Sequence, residues 1–195
     1  NPDGSDMEVY VKGVRNTVGF AWHPETGDMW FNDNGRDRLG DNLPACELNH
    51  VSAQGDHFGF PFWHQGDVAD PDFGDQRSRN EFVEPAYKYE AHSAPLGLRF
   101  YEGKMFPKKF KNNLIVAQHG SWDRSKEAGH IGYQLRLVQI EGDKVVGSEI
   151  FADGWLDKAT NKGWGKPVDV MEMPDGSILV SDDINHCIYR ISYGE

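Results

Sequence analysis

The chain has 195 residues and a formal net charge of −11, a length that suits one domain with a substantial core. The negative charge argues against nucleic acid and anionic lipid as partners, because an acidic surface repels both. The sequence contains no apolar stretch of membrane-spanning length, no initiator methionine and no signal peptide. We therefore expect no membrane span, and we expect the natural N-terminus to be missing.

Composition favours an all-β fold. The chain has 22 glycines and 12% aromatic residues, with few helical patterns, as in folds rich in tight turns. Its two cysteines, Cys46 and Cys187, show neither metal-ligand spacing nor a haem-attachment motif. They indicate no disulfide framework and no haem, and they leave the redox compartment open.

The chain opens with a turn signal at residues 1–5, and residues 7–11 then alternate like a strand. A unit made of a strand, a turn and a second strand with a polar end follows three times. The predicted strand pairs are 18–22 with 29–34, 97–101 with 113–119, and 168–172 with 178–183, and further strands follow at 47–51, 134–140 and 187–192. Residues 66–79 are polar and rich in turn formers, which predicts a surface loop.

Repeated strand–turn–strand units with Pro and Gly in their turns are typical of propeller blades. The pattern predicts a single partial β-propeller domain over 1–195, with blades at approximately 1–90, 91–164 and 165–195 and incomplete ends. We expect three four-stranded sheets arranged radially, with the polar strand ends at one rim of a central channel. A β-sandwich is the alternative, because its strands also alternate and its turns are also rich in Gly and Pro.

Arg15 and Asn16 precede the first predicted blade strand. An arginine offers a fixed fork of donors and an asparagine offers both a donor and an acceptor, which suits a planar ligand edged with carbonyls and carboxylates. The alternative is a turn that only closes the blade.

Residues 32–42 are dense in Asp, Asn and Gly. Oxygen ligands of this kind suit calcium, although the spacing is not that of an EF-hand, and a solvated loop is the alternative.

A third polar group follows the inner strand of the second unit. His119, Trp122 and Arg124 lie there, and His92 precedes the same unit. These side chains are candidates for the wall of a ligand pocket. Ser121 does not lie in a nucleophile elbow, so a serine triad is disfavoured. Lys166 adds a cation before the third unit.

Together these motifs are more specific than any one alone. They are the runs Gly13-Val14-Arg15-Asn16-Thr17-Val18-Gly19-Phe20, His23-Pro24-Glu25-Thr26-Gly27, Asp33-Asn34-Gly35-Arg36-Asp37, Ala91-His92-Ser93-Ala94-Pro95-Leu96-Gly97, His119-Gly120-Ser121-Trp122 and Pro167-Val168-Asp169-Val170. Along essentially its whole length, the chain resembles the sorbosone dehydrogenase-like branch of the glucose/sorbosone dehydrogenases, here the C-terminal half of the propeller. The resemblance implies a six-bladed propeller that binds pyrroloquinoline quinone (PQQ) and calcium and oxidises a sugar at an aldehyde, hemiacetal or alcohol carbon. It also implies a periplasmic or secreted protein.

The resemblance assigns roles to two pairs of residues. It implies that Arg15 and Asn16 are catalytic, holding the quinone carbonyl edge and stabilising charge as hydride arrives. It implies that the backbone carbonyls of Gly35 and Arg36 bind calcium, which acts as a Lewis acid.

PQQ carries three carboxylates, so an acidic protein must gather cations locally to hold it. The candidates for this role are Arg15, Arg124 and Lys166. The resemblance further implies a pocket lined by His92 and His119, with Trp122 stacked on the cofactor.

The sequence departs from the family pattern in two ways. The histidine that serves the family as general base lies upstream of the Arg-Asn motif, so this chain alone is expected to lack catalysis, and neither His92 nor His119 takes its place. Cys46 stands where an acidic residue is expected, which weakens a second calcium site there.

The alternatives are a calcium-dependent lactonase on a similar propeller and a propeller used only for interaction. The expected partners are a sugar substrate, an electron acceptor that the sequence does not identify, and either the missing N-terminal blades or a second copy to complete the ring.

Overall fold

The structure of the protein is a computed structural model, which describes residues 1–194. The fifteen strands are β1 (Phe20–Trp22), β2 (Met29–Asp33), β3 (Ala45–His50), β4 (Trp63–His64), β5 (Val68–Ala69), β6 (Tyr87–Ala91), β7 (Pro95–Phe100), β8 (Leu114–Gln118), β9 (Gln134–Glu141), β10 (Lys144–Ala152), β11 (Leu156–Asp157), β12 (Lys162–Gly163), β13 (Pro167–Glu172), β14 (Ile178–Asp182) and β15 (Cys187–Ile191). The only helices within residues 1–194 are two short 3₁₀ turns, Arg79–Glu81 and Lys108–Phe110. The predicted all-β class is confirmed, and no helix of the described chain is long and apolar enough to cross a membrane.

The strands form three main antiparallel sheets. Their orders are β1-β2-β3-β6, β10-β9-β8-β7 and β13-β14-β15, and β4-β5 and β11-β12 form separate ribbons. The expectation of four strands in every sheet is wrong for the third sheet, because the outer edge of β15 has no partner strand within residues 1–194. The strands predicted in the three repeated units are all present.

The sheets pack face to face through the apolar residues that alternate along their strands. Between the first two sheets lie Trp30, Leu48, Leu98, Leu114 and Val116. Between the second and third sheets lie Ile115, Leu135, Leu137, Val170, Ile178 and Val180. Because strand residues point alternately to the two faces, Leu114 and Ile115 of one strand serve opposite interfaces. The second sheet is therefore sandwiched between the other two.

The first strands of the three sheets meet at one axis. Residues of β1, β7 and β13, with their approaches, line a channel of about 370 Å³. Gly19 and Gly97 stand where the backbones come closest: a Cβ on Gly19 would collide with the carbonyl of Leu96, and a Cβ on Gly97 with Asp169. Glycine at these two positions lets the sheets converge, which is the radial arrangement that the repeat predicts.

The outer face of the first sheet is covered in part by a loop instead of by another sheet. Phe31 packs there against Val51 and Phe58, with Val11 beside them. The strand predicted at residues 7–11 is wrong, because these residues form no strand: Met7 and Val9 are exposed, Val11 alone packs against that cluster, and a single bridge follows, between Lys12 and His57.

Candidate functional site

A cavity of about 400 Å³ lies beside the axis, where β1 and β7 begin and where β2, β8 and β14 end. It is lined by Arg15, Asn16, Asn34, Gly35, Asp37, Cys46, His92, Ala94, Leu96, His119, Gly120, Trp122 and Asp183. Six of the nine residues predicted as site residues are in this wall: Arg15, Asn16, Gly35, His92, His119 and Trp122. The polar ends of strands in all three sheets therefore contribute to one pocket.

The Arg15-Asn16 turn is held by the end of β2. The carboxylate of Asp33 accepts hydrogen bonds from the backbone N–H groups of Arg15 at 2.9 Å and Asn16 at 2.7 Å, and from the Thr17 hydroxyl at 3.3 Å. The carbonyl of Asn16 accepts from the backbone N–H of Asn34 at 3.2 Å and from its side-chain amide at 3.0 Å. The turn is thus fixed through both its donors and its acceptor.

The side chains of Arg15 and Asn16 differ in their hydrogen bonds to the rest of the protein. The Arg15 guanidinium donates to the carbonyl of Asn34 at 3.2 Å and to the carboxylate of Asp37 at 2.9 Å. The Asn16 side chain is exposed. It makes no hydrogen bond within residues 1–194, which leaves its donors and acceptor for a ligand.

A second part of the cavity wall consists of side chains with fewer contacts. The Nε2 atom of His119 lies 3.1 Å from both carboxylate oxygens of Asp183, so the imidazole is oriented by one exposed carboxylate. The Trp122 indole is 67% exposed and lies in the cavity wall. An exposed aromatic face beside polar groups is a common feature of sites for planar ligands or sugar rings.

Three side chains at the edge of the cavity form a group that is able to hold a metal ion. One nitrogen of His92 and one carboxylate oxygen each of Asp37 and Asp123 lie within 4.8 Å of one another. The Nε2 atom of His92 lies 2.8 Å from the carbonyl of Gly40. A histidine whose second nitrogen bonds a backbone carbonyl presents its remaining nitrogen in a fixed orientation, as metal-binding histidines do.

The other three predicted residues do not line the cavity. Arg36 turns away to pair with Asp70 and Asp72. The Arg124 guanidinium donates to three backbone carbonyls of neighbouring loops and so connects these loops. The prediction that Arg124 helps to form the cavity wall is wrong, because nearer backbone carbonyls take up its guanidinium group. The prediction for Arg36 concerned its backbone carbonyl as a calcium ligand, and it stays a prediction, because the pairing of the side chain does not test it.

Lys166 packs its ammonium over the ring of Tyr133, 5.2 Å from the ring centroid. Burial lowers its pKa, and the nearby Asp183 opposes that shift. Lys166 is not among the residues that line the cavity.

Seven lining residues are not among the predicted site residues: Asn34, Asp37, Cys46, Ala94, Leu96, Gly120 and Asp183. Four of these seven, Asn34, Asp37, Cys46 and Asp183, carry a polar or thiol side chain. The sequence did contain a sign of three of these four, because Asn34 and Asp37 lie in the polar segment after β2 and Asp183 lies in the polar segment after β14. Cys46 gave no signal. Burial raises the pKa of its thiol, so it is a packed and protonated group of the cavity wall.

Two buried carboxylates lie next to the Arg15-Asn16 turn. Asp33 and Glu47 are opposite one another in the pairing of β2 with β3. Burial raises the pKa of Asp33, and burial, with the Asp33 charge as a smaller cause, raises the pKa of Glu47 to about 7. Hydrogen bonds from Asn49 and the backbone of Gln65 oppose the shift of Glu47. The strands that support the Arg15-Asn16 turn therefore contain two carboxylates, Asp33 and Glu47, whose charged forms are destabilised by burial.

The family follows from comparison of the sequence. The Glucose / Sorbosone dehydrogenase family matches residues 1–187, and the chain belongs to this family. An uncharacterized protein of Borreliella burgdorferi is 39% identical over 189 residues, which are 95% of this chain and 49% of that protein. The chain thus spans about half the length of this relative.

Solved structures agree on the fold. A glucose dehydrogenase superimposes with a TM-score of 0.67 at 22% identity, covering 100% of this chain and 49% of that one. The calcium structure of the Trichoderma reesei enzyme of carbohydrate-active family AA12 gives 0.70 at 20% identity, with coverage of 92% and 52%. The soluble aldose sugar dehydrogenase of Escherichia coli, in its apo form, gives 0.64 at 20% identity, with coverage of 94% and 47%. The predicted partial β-propeller is confirmed.

Proposed function

We propose that the chain is one half of a quinoprotein sugar dehydrogenase, and that its cavity forms part of the site for PQQ, calcium and a sugar. The observation that carries the proposal is the fixed Arg15-Asn16 turn, which lines one cavity together with Trp122 and His119. Family membership supports sugar oxidation in general. The cofactor, the metal and the particular sugar belong to the proposal.

The hydrogen-bond donors of Arg15 and Asn16 fit the oxygen-rich edge of PQQ. When bound, PQQ supplies an ortho-quinone that accepts two electrons from the sugar. Arg15 and Asn16 would hold the quinone oxygens of PQQ through hydrogen-bond donors. Trp122 would contact the planar ring system and help to exclude water, and His119 would add a ring nitrogen oriented by Asp183.

The charge of the cavity fits PQQ less well than its donors do. Asp37 and Asp183 lie in the wall with Arg15 as the lining cation, whereas PQQ carries three carboxylates. We propose that a calcium ion reduces the repulsion between these carboxylates and those of PQQ. The backbone carbonyl of Gly35 and the carboxylate of Asp37 would be its oxygen ligands. The remaining cations would come from the missing part of the ring.

The open faces of the first and third sheets support a ring that is completed by more protein. Phe20 and Trp22 on β1 and Met171 and Ile188 on the third sheet are all more than half exposed, at 52%, 57%, 61% and 67%. Such apolar sheet faces favour association. We propose upstream blades of the same protein as the occupant, and a second copy as the substitute when those blades are absent. A periplasmic or secreted location and an unidentified electron acceptor complete the proposal.

The decisive experiment is a titration of the chain, and of a version extended upstream to the length of its relatives, with PQQ and calcium. Binding is followed by quinone absorption and association by light scattering. We expect PQQ binding in the extended form, weaker binding and self-association in the short form, and dye reduction by sugar in the extended form alone.

The Arg15→Gln variant should weaken PQQ binding at least tenfold, since a charge-assisted hydrogen bond contributes about 1.5–3 kcal/mol. Arg190→Gln is the matched control, because Arg190 pairs with Asp175 and lies outside the cavity wall. Equal binding by both variants, or a monodisperse short form with full activity, would contradict the proposal.

The group of Asp37, His92 and Asp123 favours a second candidate, a metal-dependent lactonase, because such enzymes need side-chain carboxylates that converge on a metal. Hydrolysis of sugar lactones in the presence of calcium and the absence of PQQ would select this candidate. Loss of that hydrolysis in Asp123→Asn would assign it to the group.

A further inference from the structure

The Asp33 carboxylate uses both of its oxygens on one neighbouring turn. Its Oδ2 accepts from the backbone N–H of Arg15, and its Oδ1 accepts from the backbone N–H of Asn16 and from the Thr17 hydroxyl. Asp33 itself is 5% exposed and is the last residue of β2. The end of the buried strand β2 therefore fixes the backbone of the two residues, Arg15 and Asn16, that line the cavity.

No other type of side chain makes the same set of bonds. An asparagine would bring one acceptor oxygen and an amide group that faces an N–H donor, which is repulsive. Glycine or alanine would leave the two backbone N–H groups without an acceptor at a partly buried site, where each costs about 1–3 kcal/mol. A carboxylate is thus the group that matches three converging donors.

The Asp33 charge is not paired with the cation beside it. The Arg15 guanidinium is directed to Asp37 and to the carbonyl of Asn34, so Asp33 holds the Arg15 main chain and makes no hydrogen bond to the Arg15 side chain, which lines the cavity. Burial raises the pKa of Asp33, so this arrangement is costly for folding alone.

We propose that Asp33 is a positioning residue of the cavity: it fixes the direction in which the Arg15 and Asn16 side chains leave the backbone and so sets the affinity for an oxygen-edged planar ligand. The inference rests on the proposed function for the identity of that ligand. Asp33 touches the turn instead of the ligand, and it acts through Arg15 and Asn16.

The test compares Asp33→Asn with Asp56→Asn. Asp56 is a matched control, because its carboxylate accepts from the backbone N–H groups of Ser52 and Ala53 and from the Ser52 hydroxyl, the same kinds of donor, outside the cavity wall. Both variants are made in the chain extended to the length of its relatives, and both are titrated with PQQ in the presence of calcium. We expect Asp33→Asn to weaken PQQ at least tenfold and Asp56→Asn to change it less than twofold.

A double-mutant cycle separates positioning from general destabilisation. If Asp33 acts mainly through Arg15, Asp33→Asn should weaken PQQ by less than threefold in a chain that already carries Arg15→Gln. Full additivity of the two changes would overturn the inference, because it would show that Asp33 acts independently of Arg15.

Crystal structures keep the inference separate from the proposed function. If the wild-type chain binds no PQQ, the proposed function fails, and the position of the turn still tests the role of Asp33. We expect the Arg15 and Asn16 side chains of Asp33→Asn to leave the cavity wall while the sheets stay in place. An unchanged turn would overturn the inference, whatever the ligand proves to be.

Discussion

The two walls of the cavity are built differently. The first wall, Arg15 and Asn16, is supported by backbone hydrogen bonds to a buried strand end, with Asp33 and Glu47 next to it. The second wall, His119, Trp122 and Asp183, consists of side chains that reach into the cavity from loops, and Trp122 and Asp183 are largely exposed. The first wall is therefore coupled to the stability of its sheet, whereas the second wall can change with little effect on folding.

The largest expected loss of stability comes from a substitution in the core behind the first wall. Trp30 is fully buried between the first two sheets, next to the strand end that carries Asp33. Trp30→Ala should lower the free energy of unfolding by about 3–5 kcal/mol, because truncation of a buried tryptophan leaves a cavity. Chemical denaturation measures the change.

Trp122→Ala is the control for this experiment, since Trp122 is 67% exposed. It should change the free energy of unfolding by less than about 0.5 kcal/mol. Similar losses in both variants would show that the two walls do not differ in their coupling to the fold.

The second prediction uses pH to test the buried carboxylate next to the first wall. The pKa of Glu47 is raised from 4.5 to about 7 by burial. Between these values the folded chain binds more protons than the unfolded chain, so stability falls as pH rises from about 4.5 to 7 and levels off above it. A shift of this size corresponds to roughly 3 kcal/mol.

Glu47→Gln should remove this slope and be more stable than the wild type at pH 8. The new amide replaces the oxygen that accepts from the Asn49 Nδ2 atom, so the Asn49 amide must turn over for its Oδ1 atom, which is buried and lacks a hydrogen-bond partner within residues 1–194, to accept from it. Glu81→Gln is a control of opposite sign, because a hydrogen bond from Arg77 lowers the pKa of Glu81 and its contribution is lost as pH falls. Denaturation curves from pH 4 to 8 would contradict the prediction if the Glu47→Gln slope equals that of the wild type.

The first wall was also the part that sequence reasoning located best. Arg15 and Asn16 were identified from their place before a strand, and the strands themselves were evident from alternation and turn residues. What the sequence did not reveal was support from a distance: Asp33 lies 18 residues from Arg15 along the chain, and its role depends on how β2 ends beside the turn. Arg124 was misplaced for the same reason, because the carbonyls that accept its hydrogen bonds come from loops whose paths the sequence does not specify.

The smallest expected effect on stability belongs to the second wall. His119 and Asp183 form a pair at 3.1 Å with side-chain exposures of 22% and 58%, and exposed pairs of this kind contribute about 0–1 kcal/mol. His119→Gln should therefore leave the free energy of unfolding within about 1 kcal/mol of the wild type. It should still weaken PQQ binding about threefold to tenfold, since one hydrogen bond contributes about 0.5–1.5 kcal/mol.

Asp183→Asn tests whether the carboxylate acts by orienting His119. The asparagine retains one acceptor for the imidazole, so the effect of Asp183→Asn on binding should be smaller than that of His119→Gln, and the two changes together should not exceed His119→Gln alone. Calorimetric titration with PQQ and thermal unfolding of the same samples give both quantities. A loss of stability in His119→Gln comparable to that in Trp30→Ala would place His119 in the core support of the fold and would remove the distinction between a rigid first wall and an adaptable second one.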